Sequence, residues 1–420
     1  MQSQYRVFKF GGASVKDAAG LRNVTQILSQ ELAQGGSIVV VVSAMGKTTN
    51  SLEAILNGAN AESINQLANL IALHKAQATL ILKDAQPCLA ELDGLHLQMQ
   101  AALALGRSRP FDEAYDQFVS FGEVLSSCLL FAAVQEAGQA VAMLDARRII
   151  KTDSTFRAPQ VNLPLTTSLL RQAVSSAQKP ICILQGFIGS DDFGRTTTLG
   201  REGSDYTAAL CGAALQAQSV TVWKDVPGVL NADPKRLPRA QLLSSISYAE
   251  AAEMTFYGAT VLHPKTLKPL AEANIPLYVR SFVDPTLPGT EIGPGQGKQA
   301  ADIFLQQDQV ALLHCKTKDL SFVSELYVAR LLQTAHQVGL RVLTLQASAL
   351  DLKLVVLQDF GRAAQFASLL QQDYDVTADY DLALATFMNG APAFVASQLA
   401  GKTIVLQQQV GSNLYALIRA

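Results

Sequence analysis

The sequence predicts an α/β fold, a three-layer α/β/α sandwich around a mostly parallel sheet, followed by a smaller α+β region. Three observations lead there. Short runs that are apolar on both sides alternate with amphipathic, Ala/Leu-rich stretches through most of the first 295 residues, the pattern of buried parallel strands joined by helices. Several of those stretches stop at glycine, a common helix C-terminal signal. A segment dense in Pro and Gly, "DPTLPGTEIGPGQGKQ" (284–299), then separates this pattern from shorter strand–helix units.

The elements follow in order. "RVFKF" (6–10) is a strand that breaks at Gly11 and Gly12, and "LRNVTQILSQELAQG" (21–35) reads as a helix. "SIVVVVSAM" (37–45) is a buried strand, and residues of about 50–120 form a helical lobe, loosely patterned and rich in Ala, Leu and Gln. "VSFGEVLSSCLLFAAVQEAG" (119–138) is helical, "AVAMLDA" (140–146) and "PICILQGFIG" (180–189) are strands, and "SDYTAALCGAALQAQ" (204–218) is a helix. "SVTVWKDV" (219–226) and "PLYVRSF" (276–282) are further strands. Residues 1–295 form one domain, 296–304 a linker and 305–420 a second region. There, "QVALLHCKT", "VSELYVARLLQTAHQVG", "LRVLTLQAS" and "LKLVVLQD" read as one βαββ unit. "LALATFMNG", "PAFVASQLAG", "TIVLQQQV" and "NLYALIRA" read as another.

Composition narrows the function. With 33 Lys+Arg against 35 Asp+Glu the net charge is −2, and no basic block stands out, which argues against nucleic acid as a partner. An apolar fraction of 49% and 16% charged residues mark a core-rich chain. The N-terminus has no signal-peptide pattern, and the longest apolar run, "IVVVV" (38–42), is far too short for a bilayer. A cytoplasmic, membrane-free protein is expected. Its five cysteines (Cys88, Cys128, Cys182, Cys211, Cys315) are scattered without a CxxC pair and read as reduced, mostly buried thiols. The histidines have no ligand spacing, so no structural zinc is expected.

Two stretches carry chemistry. In "KFGG" (9–12), glycines at a strand end allow positive φ and bring backbone N–H groups to an anion, while Lys9 can reach a transferring phosphoryl group. No Walker-type GxxxxGK[ST] occurs, so any phosphate cradle is of another kind. In "TTTLGREGSD" (196–205), Ser204 is placed to cap a helix whose free N–H groups favour an anion. Arg201 has the planar fork that suits a carboxylate, and Asp205 can orient a lysine or a metal-bound phosphate.

These stretches resemble those of the aspartokinases of the amino acid kinase family. "KFGGASV" (9–15) is similar to KFGGTSV, and "VVVSAMGKTTN" (40–50) to VVSAMxxxTN. "SFGE" (120–123) matches SxGE, and "GFIG" with "TTTLGREGSDYTA" resembles the longest signature. "VWKDVPGVLNADPK" (222–235), "EMTFYGATVLHPKTL" (253–267) and "IPLYVRSFVDPTLPGTEI" (275–292) align as well. The resemblance implies an amino acid kinase fold that transfers the γ-phosphoryl of ATP, with Mg²⁺, to the β-carboxylate of L-aspartate, giving 4-phospho-L-aspartate on the way to lysine, threonine and methionine. Alternatives are a catalytically weak amino-acid-binding homologue and a kinase for another small amino acid.

Carried over by position, the resemblance makes Lys9 and Asp205 catalytic, and Gly11, Gly12 and Ser14 phosphate-binding. Ser43, Thr49, Glu123, Phe187, Arg201 and Ser204 hold the amino acid, Glu123 taking its ammonium and Arg201 a carboxylate. Trp223, Lys224, Asp225, Val226, Pro227, Gly228, Asp233 and Lys235 run along the nucleotide, and the metal comes with ATP rather than from protein ligands. The chain departs from the pattern at Ala13, Glu202, Lys224 and Thr260, where Thr, Gly, Thr and Lys are usual. Lys224 either replaces the charge missing at Thr260 or points to solvent, as exposed lysines do by default. Residues 305–420 resemble paired ferredoxin-like ACT domains. Their first turn, "KTKDLSFVSE" (316–325), lacks glycine, and the chain ends after the "NLYALIRA" strand. A homodimerising role is expected there rather than a complete effector site.

Overall fold

A computed structural model describes residues 5–58, 61–106, 108–259, 262–295, 302–319 and 321–419. Thr260 and most of the expected linker lie outside the described residues. The chain forms two compact units: residues 1–229, 244–252 and 262–298, and residues 230–243, 253–261 and 299–420. Residues 230–243 and 253–261 thus group with the second unit although they precede the 296–304 segment.

In the first unit the elements are β1 (Tyr5–Phe10), α1 (Ala18–Leu32), β2 (Ser37–Val42), α2 (Thr48–Gly58), α3 (Ala61–Ile81), α4 (Gln86–Gly106), α5 (Phe111–Val119) and α6 (Phe121–Glu136). They continue with β3 (Val141–Leu144), α7 (Ala146–Ile149), α8 (Leu163–Ala177), β4 (Ile181–Gln185), β5 (Ile188–Ser190), β6 (Thr196–Thr198), α9 (Gly203–Leu215) and β7 (Ser219–Lys224). Then come β8 (Ser245–Ser247), α10 (Tyr248–Phe256), whose last residues belong to the second unit, α11 (Pro264–Glu272), β9 (Leu277–Ser281) and β10 (Thr290–Gly293). Eight strands form one sheet in the order β3-β4-β2-β1-β7-β9-β10-β8. All neighbours run parallel except β9 and β10.

Side chains alternate across a strand, and each face of this sheet is covered. Phe8, Phe10, Val40, Val42, Ile183 and Trp223 join one core with α1, α6 and the lobe helices α2–α5. The opposite face of β1, β2 and β7 meets α9, which α8 and α11 flank. Residues 111–136 are long and apolar enough to cross a bilayer by composition, yet the most apolar window is 72% buried in this core. The apolarity is accounted for by packing.

In the second unit, β11 (Ile303–Thr317), α12 (Glu325–Gln337), β12 (Val342–Ala347), β13 (Asp351–Leu357), α13 (Phe360–Leu370), β14 (Tyr374–Met388), α14 (Pro392–Leu399), β15 (Thr403–Val410) and β16 (Asn413–Arg419) build a six-stranded antiparallel sheet. Its order is β12-β13-β11-β14-β16-β15. The two expected βαββ units are present, as two ferredoxin-like halves of one sheet. α13 and the first half of β14, which the sequence patterns leave unassigned, complete the first half as βαββαβ. β11 starts at Ile303, inside the segment read as linker. β11 and β14 are each 15 residues long and pair along both halves, their ladder shifting register between Gln307 and Leu312. Gln309 and Asp381 there adopt φ of 54° and 56°.

Candidate active site

Ligands of open parallel sheets bind beyond the carboxyl ends of the strands, and a cavity of about 590 Å³ lies there in the first unit. β1 delivers Lys9 on the face opposite Phe8 and Phe10, beside Val41 of β2 and Val222 of β7. That face belongs to α9, whose first turn carries Asp205. The Lys9 ammonium stands 2.6 Å from Asp205 Oδ1, with only 11% and 4% of the two side chains exposed.

The two glycines after β1 work by space rather than by handedness. Neither has a positive φ, which corrects the expected nest of left-handed glycines. A Cβ on Gly12 would stand 2.8 Å from both the Ala44 and Gly46 carbonyl oxygens, so the β1 end and the 44–46 loop touch only because position 12 is bare. Gly46 N–H donates to Gly12 O at 3.0 Å across this contact. Ser14 does not reach the cavity. It is fully buried, and its hydroxyl donates to Gly11 O at 2.6 Å, closing the turn.

From α6, Glu123 enters the cavity wall buried, its Oε1 accepting from Ala44 N–H at 3.1 Å. Its Oε2 has no hydrogen-bond partner among the described residues. Burial pushes this carboxyl up to about 8, against the opposing pull of the Ala44 N–H and the Lys9 charge. Ser43 and Thr49 also line the cavity. Ser43 O accepts from Ser126 Oγ at 2.7 Å, which ties the β2 end to α6.

Phe187 lines the cavity in a rarely occupied backbone conformation, φ 68°. Ile188 N–H donates to Gly186 O at 2.8 Å, a tight three-residue turn around it. Three further bonds hold the turn. Gly186 N–H donates to Val42 O at 2.9 Å, Phe187 N–H to Thr207 Oγ1 at 3.1 Å, and Leu199 N–H to Phe187 O at 2.7 Å. Strain of this kind persists only where the surroundings over-determine it.

Ser204 is not the cap of α9. Glu202 occupies that position with φ 54° and makes no side-chain cap bond, while Gly203 opens the helix and Ser204 and Asp205 follow in its first turn. The left-handed conformation explains why glycine suits position 202. One Glu202 oxygen, Oε2, is buried without a hydrogen-bond partner among the described residues. Arg201 and Ser204 line the cavity beside it.

At the end of β7, Lys224 faces the cavity and not the solvent. Burial holds its ammonium below the ordinary lysine range, a shift that Asp205, Glu202 and Asp225 oppose and Lys9 reinforces. Trp223, one residue earlier, takes the other face. It is 1% exposed, stacks on Phe10 at 5.9 Å and receives the Arg280 guanidinium at 4.7 Å, so its ring is core and not nucleotide wall. Asp225, Val226, Pro227 and Gly228 continue past the cavity, Asp225 and Val226 exposed. Asp233 and Lys235 lie in the second unit, exposed, where the Asp233 carboxylate accepts from Lys235 N–H at 2.9 Å.

Tyr115, Arg157 and Thr198 complete the wall without having been singled out in the sequence. Asp116 organises them: its Oδ2 accepts from Arg157 N–H at 2.9 Å and Thr198 N–H at 2.8 Å, its Oδ1 from Thr198 Oγ1 at 2.6 Å. Arg157 adopts φ 67° and lays its guanidinium 4.4 Å from the Tyr115 ring centre. The cavity therefore presents four cations (Lys9, Arg157, Arg201, Lys224) against the carboxylates of Glu202 and Asp205 and the raised carboxyl of Glu123, a balance suited to an anionic guest that also carries a positive group.

An α/β/α sandwich with a strand-end lysine, a helix-borne aspartate and this charge pattern defines a member of the amino acid kinase family. Residues 4–281 match that family's profile, and the chain belongs to it. Within the family the chain is similar to lysine-sensitive aspartokinase 3 of Escherichia coli (strain K12), with 35% identity over 69% of this chain and 64% of that protein. It is also similar to the chloroplastic aspartokinase 2 of Arabidopsis thaliana, with 32% identity over 83% and 66%. The chain thus spans just under two thirds of these curated relatives. Among solved structures, E. coli aspartokinase III in complex with aspartate and ADP superposes with a TM-score of 0.84 at 27% identity, over 99% of this chain and 96% of that one. The same enzyme with lysine and aspartate gives 0.82.

Proposed function

We propose that this protein is an aspartokinase, transferring the γ-phosphoryl group of ATP to the β-carboxylate of L-aspartate. The observation that carries the reading is the cavity where Lys9, held by Asp205, shares one space with Glu123 and Arg201. A zwitterionic amino acid with a second carboxylate matches this set: the open Oε2 of Glu123 for its ammonium, Arg201 for its α-carboxylate, Lys9 and Lys224 beside its side chain. The aspartate and ADP held by the similar E. coli enzyme agree with that guest.

The chemistry needs no base, because the nucleophile is already a carboxylate. A β-carboxylate oxygen forms the new bond to the γ-phosphorus as the bond to the departing ADP oxygen breaks. The barrier is repulsion between two anions, and cations fixed in advance beside them lower it. Lys9 is fixed by its ion pair with Asp205, and Lys224 adds a second cation from the neighbouring strand. Ser43, Thr49, Phe187 and Ser204 shape the pocket, with Gly11 and Gly12 at the phosphate end and residues 225–228 toward the nucleotide. Mg²⁺ would enter bound to the nucleotide, whose charge it would neutralise. A cytoplasmic location and a homodimer through residues 305–420 complete the reading.

The test is ADP release with L-aspartate, ATP and Mg²⁺, the acyl phosphate being trapped by hydroxylamine as the β-hydroxamate. Aspartate-dependent hydroxamate in step with ADP is expected. ADP release with another small amino acid, and none with aspartate, would overturn the substrate; no turnover with any would overturn the activity.

A further inference from the structure

Two of the five cysteines, forty residues apart in sequence, meet in space. Cys88 lies in the first turn of α4 and Cys128 in the middle of α6, two packed helices, and their sulfurs stand 3.9 Å apart. Both border an apolar cavity of about 340 Å³ with Pro87, Phe131 and Met143, which gives a small neutral oxidant a place to reach sulfurs that are otherwise shielded. The geometry points to a redox-convertible dithiol: we propose that Cys88 and Cys128 form a reversible disulfide when the protein meets a peroxide, clamping α4 to α6.

The two sulfurs are not equivalent. The Cys88–Cys128 contact draws Cys88 below the ordinary thiol range and, together with burial, drives Cys128 above it. Cys88 is therefore the attacking thiolate. Its sulfur bonds to one peroxide oxygen as the O–O bond breaks, and the departing hydroxide takes a proton to become water. The Cys128 sulfur then attacks the sulfenic sulfur. The S–S bond forms, the S–O bond breaks, and the second hydroxide leaves with the Cys128 proton as water. One peroxide is reduced and two thiols are oxidised. The other thiols do not compete: burial alone pushes Cys182 up to about 11, and Cys211 and Cys315 up to about 12.

This inference stands apart from the aspartokinase reading. Neither sulfur lines the Lys9 cavity, although α6 links the two sites by carrying Glu123 at its start and by the Ser126 bond to Ser43 O. The experiment exposes the whole protein to a slight excess of hydrogen peroxide, blocks the remaining thiols, and maps peptides without reduction. A Cys88–Cys128 peptide lighter by two hydrogens is expected, lost on treatment with dithiothreitol, together with a higher Tm for the oxidised protein. Cys128→Ala should leave a Cys88 sulfenic acid that dimedone captures, and Cys88→Ala should leave Cys128 unmodified; both reduced variants are checked for a wild-type melting profile. Two free, alkylatable sulfurs at 88 and 128 after oxidation, or a crosslink to any other cysteine, would overturn the proposal, and so would dimedone capture at Cys128 in Cys88→Ala.

Discussion

Lys9 and Asp205 come from elements about two hundred residues apart in sequence, yet meet as a nearly enclosed ion pair of 2.6 Å. Such a pair contributes little net stability while intact, but removing one partner strands a buried charge and costs roughly 3–5 kcal/mol. Lys9→Met should therefore lower Tm as well as abolish hydroxamate formation. Asp205→Asn should keep the shape and lose about a hundredfold or more in kcat, the scale of one mispositioned electrostatic group. The double variant should recover part of the lost Tm and none of the activity. If activity returns with stability, Lys9 is a structural partner and nothing more.

Glu123 predicts a pH dependence with a definite sign. Its carboxyl is pushed from 4.5 up to about 8 by burial, so the folded protein keeps a proton that the unfolded chain releases. Stability should then fall as pH rises from about 4.5 to about 8 and level off above, a loss of on the order of 5 kcal/mol across the window. Glu123→Gln should flatten that slope. If the ionised form receives the amino acid's ammonium, the aspartate Kd should tighten roughly tenfold per pH unit up to about 8, with proton release visible by calorimetry in two buffers. A pH-independent Kd would remove Glu123 from the ammonium site.

Glu202→Gly should stabilise. The wild-type residue holds φ 54° at the α9 cap and buries a carboxylate oxygen without a hydrogen-bond partner among the described residues, a cost of about 1–2 kcal/mol that glycine avoids. Glycine's greater freedom in the unfolded chain offsets part of that gain, leaving a Tm rise of a few degrees. With one anion fewer beside Lys224, the aspartate KM should fall as well; a lower Tm would mean that the Glu202 carboxylate is bonded in solution.

Lys224→Thr tests the second cation. Charged hydrogen bonds are worth about 1.5–3 kcal/mol, so kcat/KM for ATP should drop by roughly ten- to a hundredfold, while Lys224→Arg retains more. Because burial already depresses this ammonium, the wild type should lose this advantage toward alkaline pH as Lys224 deprotonates, and the gap to Lys224→Thr should narrow. Equal kinetics for Lys224→Thr and wild type would return Lys224 to a solvated role.

Much of this was legible in the sequence because the period-2 and helical patterns are strong. The same alternation places Lys9 and Lys224 on one face and Phe10 and Trp223 on the other, since β1 and β7 pair Phe10 with Trp223. Reading "WKDVPG" by resemblance alone put Trp223 with the nucleotide, where the pleat puts it in the core. Ser204 looked like a cap because serine before a helix usually is one; the true cap is a glutamate in a conformation its residue type disfavours. Arg157 and Thr198 left no local trace, for what assembles them is the Asp116 carboxylate from a distant helix. In the second unit, α13 begins "FGRAAQFASLL" with glycine at its second position, a weak helix signal, and the apolar run of β14 starts only at Leu382.

The two 15-residue strands of the second unit have a consequence for engineering. β11 contributes residues 310–317 to one half of the sheet and 303–307 to the other, and β14 likewise serves both. Neither half can be excised or exchanged as a module, because a breakpoint anywhere in those strands leaves its neighbour with an open ladder. A chimera that grafts a relative's half onto this chain must import both long strands, with their mutual register, or it will splice two incompatible edges.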